Sequence, residues 1–287
     1  MLGVTSMTNA SYTERLAKWA VSLPPSVFLI AFFLLPSLIM VGASFRYPGE
    51  FGGMAPLLKP AHATGEAGLT LDSYGFFFSD MVFLWIIAKS FLIAILTTLL
   101  CLVMAYPLAM LMARRSRRQQ ELMVLLVVLP FASNFLVRIY AWIIILGPLD
   151  LLYTPAAVMM GMVYVHLPFM VLPLYTNLEK HDPLLLDAAR DLGASAWQSF
   201  WKVTFPLSLP GVFSGSALVF IPVLGMFAIP ELLGGTGDVL IGNLIKEQFL
   251  ESRDWPFGAT LSIMLTLLVL TVATLSGRLA RSRQTAP

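Results

Sequence analysis

Residues 82–113 read VFLWIIAKSFLIAILTTLLCLVMAYPLAMLMA, and residues 114–121, directly after them, read RRSRRQQE. The first stretch carries a single charged side chain, Lys89, and is longer than the ~20 residues a helix needs to cross a hydrocarbon core about 30 Å thick. The second packs four arginines into one turn's reach of that apolar run. Together they set the class of fold: a helix whose solvent is lipid, ending at a basic boundary on one face of a membrane.

The rest of the chain repeats the pattern. Of its 287 residues 58% are apolar and 12% charged, against the ~25% charged residues of a soluble domain. Apolar runs alternate with short polar stretches bearing Gly and Pro. Besides 82–113, spans are expected at Val21–Phe45, bent or delayed by Pro24, Pro25 and Pro36, and at Glu121–Leu146. Further spans are expected at Pro155–Leu178, interrupted by Pro168 and Pro173, at Leu207–Leu233, interrupted by Pro222 and Pro230, and at Pro256–Arg278. The expected fold is therefore an all-α polytopic membrane protein with six transmembrane helices. Residues 1–20 form an N-terminal segment, 21–278 the transmembrane domain and 279–287 a tail. The first apolar run is too long for a signal-peptide core and reads as an uncleaved span. Ser11–Trp19, with Arg15 and Lys18, and Ile241–Leu250 read as interfacial amphipathic stretches.

Lysines and arginines fix the expected orientation. Arg15, Lys18, Arg114, Arg115, Arg117, Arg118, Lys180, Arg190, Lys202, Arg278, Arg281 and Arg283 fall on one side, and Arg46, Lys59, Lys246 and Arg253 on the other. Positive charge favours the cytoplasmic face, so both termini are expected there. Cys101 sits alone in an apolar run and reads as a packing residue.

On the cytoplasmic side, the loop Asp182–Pro206 has a local logic of its own. Asp182-Pro183 places a capping residue before a proline suited to the first helical position. Leu185, Ala188, Ala189 and Leu192 recur on one helical face. Gly193 stands where a helix ends in a left-handed turn. Ser195 and Gln198 have the spacing of a capping box for a second helix, and Pro206 is expected to end that helix and deliver the chain into the fifth span. Such a unit exposes Leu184, Leu185, Trp197, Phe200 and Trp201, an apolar cluster of the kind that marks a docking surface.

These residues carry a resemblance. Asp187-Ala188-Ala189, Gly193 and Val203-Thr204-Phe205-Pro206 resemble the "EAA…G…I-x-L-P" signature of binding-protein-dependent ABC importer permeases, with Asp187 where the signature has Glu. The resemblance extends to residues 133–140 (SNFLVRIY), 167–175 (LPFMVLPLY), 229–235 (IPELLGG) and 254–258 (DWPFG), which are similar to spermidine/putrescine importer permeases; residues 147–155 look short beside them. It implies the type I ABC importer permease fold, with loop 182–206 as the coupling helix that docks on an ATPase. Asp187, Ala188, Ala189, Gly193 and Pro206 would be its coupling residues.

The sequence holds no phosphate-binding loop, no paired carboxylates, no Ser/His/Asp arrangement and no H-E-x-x-H. The chain is thus expected to be a transport subunit and not an enzyme, with no cofactor of its own. The resemblance implies that ATP and Mg are bound by an ABC ATPase dimer. It also implies a second, homologous permease, hence a heterodimer, and a periplasmic binding protein. The expected setting is a bacterial inner membrane, with the bilayer and no nucleic acid as partner.

Ionisable groups at membrane depth are functional candidates. Glu231 follows Pro230 in a span broken by Pro222 and Gly225, where freed carbonyls beside a carboxylate suit an ammonium group. Arg138 is placed to pair with Glu231 or Asp150. Tyr140, Trp142 and Tyr164 offer faces to a cation or form an interfacial belt. Lys89 is expected to snorkel toward headgroups, and His166 reads as a packing residue. The leading expectation is import of a small cation such as spermidine or putrescine by alternating access. Other solutes in the same class, an amino acid derivative or an organophosphonate, remain open, as does an ion-coupled secondary transporter.

Overall fold

The computed structural model describes residues 22–58, 67–182 and 184–284, with side chains through residue 274. Ser11–Trp19 lies outside the described residues. Among the described residues, five helices are long and apolar enough to cross a membrane: α1 (Ser22–Ser44), α3 (Met81–Ala113), α6 (Pro155–Leu178), α8 (Ala196–Leu224) and α11 (Trp255–Gln284), the last counted to Thr274. A bent pair, α4 (Arg117–Val128) and α5 (Phe135–Leu146), makes a sixth span if taken as one. Shorter helices are α2 (Asp72–Ser79), α7 (Leu184–Asp191), α9 (Ala228–Leu233) and α10 (Ile241–Leu250).

The chain divides into two compact units, one of residues 1–77 with 248–287 and the other of 78–247. In the first, α1 packs along α11, and isolated bridges Arg46–Leu69, Pro48–Met54 and Gly53–Asp254 tie down the Gly- and Pro-bearing segment.

The second unit has its core where α3, α6 and α8 meet. Lipid tails are as apolar as leucine, so close packing, not escape from water, must hold these helices together. The sequence supplies small residues for this. Ala94, Cys101, Ala105 and Ala109 of α3 are wholly buried. On α8, a Cβ at Gly211 would stand 3.0 Å from the Pro173 carbonyl oxygen, and one at Gly215 would stand 2.7 Å from Met170 Sδ. Some polar groups inside are paired across or along the helices, whereas the buried Asn177 Oδ1 and Ser199 Oγ have no hydrogen-bond partner among the described residues. Thr98 Oγ1 donates to the Ala94 carbonyl at 2.7 Å, and Tyr106 and Ser208 share a 2.7 Å hydrogen bond between α3 and α8. Such an interhelical bond contributes about 0.6 kcal/mol. His166 Nδ1 lies 2.8 Å from the Met162 carbonyl oxygen, consistent with a packing role.

Pro168 and Pro173, expected to interrupt the fourth span, lie inside a single α-helix, Pro155–Leu178, and two further expectations need correction. The third span is not one helix over Glu121–Leu146. It breaks after Val128 into a 3₁₀ turn, Leu129–Ala132, and restarts at Phe135 with a 90° change of direction. Pro130 removes a backbone donor there, and Asn134 caps the new helix by accepting from the Leu136 N–H at 2.8 Å. The second correction is at Pro206, which ends nothing. Ala196–Leu224 is continuous, with a π-turn at Phe200–Thr204. The widened turn lies where the Pro206 ring would otherwise meet the Lys202 carbonyl.

Candidate functional site

Two places in the second unit gather the residues singled out by sequence. At the basic end, Asp182 Oδ1 accepts from the Leu184 N–H at 2.9 Å and so starts α7. Asp187, Ala188 and Ala189 lie on α7, where Asp187 pairs with Arg190 at 3.3 Å; both side chains are exposed, so the pair adds little stability. The helix closes on Gly193, whose φ is +80°. The Gly193 N–H donates to the Arg190 carbonyl at 2.8 Å and the Ala194 N–H to the Ala189 carbonyl at 3.0 Å, the paired bonds of a left-handed helix end. Ser195 Oγ accepts from the Gln198 N–H at 3.3 Å, and Gln198 Oε1 accepts from the Ser195 N–H at 2.9 Å. The expected helix–Gly–helix unit is formed.

Its apolar side chains divide. Leu184, Leu192 and Trp197 are 69%, 88% and 71% exposed. Phe200, expected outside, turns inward onto Tyr106 at 5.4 Å between ring centroids. Trp201 bridges Trp197 (5.6 Å) and Phe205 (5.0 Å). The exposed set is therefore anchored to the start of a spanning helix. Behind it lies a cavity of about 440 Å³ between α3, α6, α7 and α8, with Arg114, Arg115, Glu179 and His181 among its walls.

At the far end, α8 stops at Leu224 and the chain turns through Gly225 to Phe227 before α9. The helix break foreseen at Pro222 and Gly225 is present, and the Phe227 carbonyl just beyond it already has a donor. Asn243 Nδ2 donates to the Phe227 carbonyl at 2.9 Å. The first turn of α10 presses on the break so closely that a Cβ at Gly242 would stand 2.8 Å from the Gly225 oxygen and 2.9 Å from that of Met226. A helix N-terminus is the electropositive end, so these carbonyls meet a complementary field.

Glu231, on α9, receives the ammonium of Lys246, on α10, at 2.7 Å. Lys246 was not singled out by sequence. The signal for it was the Gly-Gly-Thr-Gly turn, which folds α10 back over α9. Lys89 does not snorkel; its ammonium donates to the Gly237 carbonyl and lies 3.3 Å from Asp238 Oδ1. The neighbouring Ser90 Oγ accepts from the Ile241 N–H at 2.9 Å. α3 thereby clamps the turn that presents α10.

The other candidates stand apart. Arg138 forms no ion pair among the described residues and lies over the rings of Phe131 (5.2 Å) and Phe135 (5.9 Å). The expected pairing with Glu231 or Asp150 is not formed: Glu231 is paired with Lys246, and the guanidinium meets the aromatic faces on either side of the bend before α5 instead. Trp142 and Tyr164 meet edge to face at 5.5 Å in the wall of an apolar cavity of about 490 Å³. Tyr140 is 52% exposed. No hydrogen bond or ring contact among the described residues joins these three aromatics to Glu231. No group of three or more metal-binding side chains occurs among the described residues.

Comparison with known proteins bears on this arrangement. The family model for the inner membrane component of binding-protein-dependent transport systems matches residues 105–282, which include both the helix–Gly–helix unit and the α9–α10 hairpin. The spermidine/putrescine transport system permease protein PotB of Escherichia coli (strain K12) is 39% identical over 259 residues, covering 84% of this chain and 90% of that one. PotB of Haemophilus influenzae is 38% identical over 259 residues, covering 84% and 86%. Among solved structures, a bacterial ABC transporter involved in import of the acidic polysaccharide alginate shares the fold, with a TM-score of 0.69 at 16% identity, covering 98% of this chain and all of that one.

Proposed function

The chain belongs to the inner membrane components of binding-protein-dependent transport systems, and from that premise we propose that it is a permease subunit of an ATP-driven importer of spermidine, putrescine or a closely related amine. The observation that carries the substrate class is the 39% identity to PotB over 84% of the chain. The Glu231 carboxylate supports it, since it already binds a primary ammonium at 2.7 Å.

In this reading the basic end faces the cytoplasm. Loop 182–206, with Asp187, Ala188, Ala189, Gly193 and Pro206, docks on one subunit of an ATPase dimer that binds ATP and Mg. The exposed Leu184, Leu192 and Trp197 form the contact. Because α8 runs unbroken from Ala196 into the span, a displacement of the docked unit moves the span as a rigid lever. The lever's far end is the break at Gly225, beyond which lies the hairpin carrying Glu231. A homologous permease completes the pathway, and a periplasmic binding protein delivers the amine to the far end.

The test is reconstitution of the chain with its second permease and ATPase in liposomes. Binding protein loaded with putrescine or spermidine should stimulate ATP hydrolysis and drive uptake of the labelled amine. Stimulation by some other loaded binding protein, with no response to polyamines, would overturn the substrate assignment.

A further inference from the structure

Lys246 carries an aminobutyl side chain, four methylenes ending in a primary ammonium. That group is one half of the chemistry of putrescine and one arm of spermidine. In the structure it rests on the one carboxylate of the helix break, Glu231 Oε1, at 2.7 Å. The two side chains differ in cover: the lysine is 22% exposed and the glutamate 43%. The carboxylate therefore has an open side while the ammonium reaches it along the hairpin. Moving the lysine away would not release the hairpin. Asn243 still holds the Phe227 carbonyl at 2.9 Å, Ser90 still holds the Ile241 N–H at 2.9 Å, and Lys89 still holds Asp238.

We propose that Lys246 is a tethered competitor for the substrate: its ammonium occupies the Glu231 carboxylate between turnovers, gives way to an incoming alkylammonium, and returns to expel it. This rests on the polyamine reading above. A carboxylate facing lipid or a narrow aqueous path is costly without a counter-charge. A tethered cation meets that need without the slow release that an empty, fully negative site would impose on its substrate. The exchange replaces one charge-assisted hydrogen bond by another of the same kind, so binding and release stay nearly balanced.

The experiment uses the assembled complex in lipid nanodiscs without binding protein and measures retention of radiolabelled putrescine. Lys246→Met, which keeps the length and removes the charge, should retain putrescine about tenfold more tightly. Its uptake rate in liposomes at saturating loaded binding protein should fall several-fold, as release slows. Lys246→Arg installs a stronger, two-pronged partner for the carboxylate and should retain less putrescine than the wild type. In a Glu231→Gln background the Lys246→Met change should have no further effect, because the two act through one contact. Co-purification of the ATPase with each variant confirms assembly.

A purely structural ion pair predicts another order, with Lys246→Arg resembling the wild type and Lys246→Met binding less. That order overturns the proposal. So does equal retention by Lys246→Met and the wild type in a complex that imports putrescine, and this leaves the substrate reading intact. A wild-type complex that neither retains nor imports putrescine overturns both.

Discussion

The polar contacts that shape α7 and its turn into α8 are all short in sequence: Asp182 to Leu184, Ala189 to Ala194, Ser195 to Gln198. At the far end, besides short ones such as Gly235–Asp238 and Leu240–Asn243, the contacts that join the elements link residues 15, 16, 149 and 151 positions apart: Glu231–Lys246, Phe227–Asn243, Lys89–Asp238 and Ser90–Ile241. One end is self-folding only in the sense that its caps and turn are specified locally, and it is set on a long helix that Tyr106 of α3 anchors. The other exists only when α3, α8, α9 and α10 have come together. A unit that must fit a separate ATPase gains from keeping its shape whatever the span above it does. A mouth that must open and close gains from contacts that can be exchanged.

Substitutions at the self-folding end should therefore damage contact with the ATPase and leave the bundle intact. The largest effect is expected at Trp197. Its ring is 71% exposed and lies against the neighbouring aromatic rings of Phe200 and Trp201. Aromatic anchors of this kind carry ~2 kcal/mol or more when truncated at an interface, about thirtyfold in affinity. Trp197→Ala should weaken co-purification of the ATPase by that order, with membrane insertion and thermal unfolding of the permease unchanged. Unchanged ATPase binding would place the contact elsewhere on the loop.

Gly193→Leu should come next. A Cβ there would meet nothing within 4 Å in this chain, so the cost within the permease comes from the backbone at φ +80°. Forcing a branched residue into the left-handed region costs roughly 1–2 kcal/mol, which would tilt α7 against the capping box of α8. Uptake should fall about tenfold, while ATP hydrolysis continues uncoupled. Gly193→Asn, which tolerates this conformation, should keep most of the uptake. If both variants lose transport equally, the turn matters for contact and not for conformation.

The same contrast in sequence separation explains what the sequence made legible. Asp182, Gly193, Ser195 and Gln198 announced their unit because each acts within a few residues. The fourth span appeared at its observed bounds, Pro155–Leu178, because a proline suited to the first helical position opens its apolar run, although Pro168 and Pro173 do not interrupt it. The break between α4 and α5 was hidden within a continuous apolar run, where hydropathy is blind to direction; Pro130 followed by Ser133-Asn134 was the available signal. Continuity through Pro206 was hidden for the opposite reason, since a π-turn absorbs a proline that ordinarily ends a helix. Glu231 was recognisable as an acid in a broken span, but its partner was not. Lys246 counted as one outer cation among four until the hairpin placed its ammonium on the carboxylate.

The smallest effect is expected at the clamp on α3. Lys89 and Asp238 lie 3.3 Å apart with side chains 24% and 12% exposed, a partly screened pair worth about 1 kcal/mol. Lys89→Met removes one of three holds on the turn, because Asp238 Oδ2 still accepts from the Gly235 N–H at 3.1 Å and Ser90 still holds Ile241. The loss should therefore be local. Amide hydrogen exchange at residues 234–240 should quicken by up to about fivefold, while affinity for the ATPase at the other end stays at the wild-type value. Lys89→Met with Asp238→Asn should exchange more slowly than Lys89→Met alone, since the double change leaves no buried charge unpaired. A fall in ATPase affinity from this substitution would mean that the two ends are coupled through α3 as well as through α8, and the division between a self-folding end and an exchangeable one would have to be redrawn.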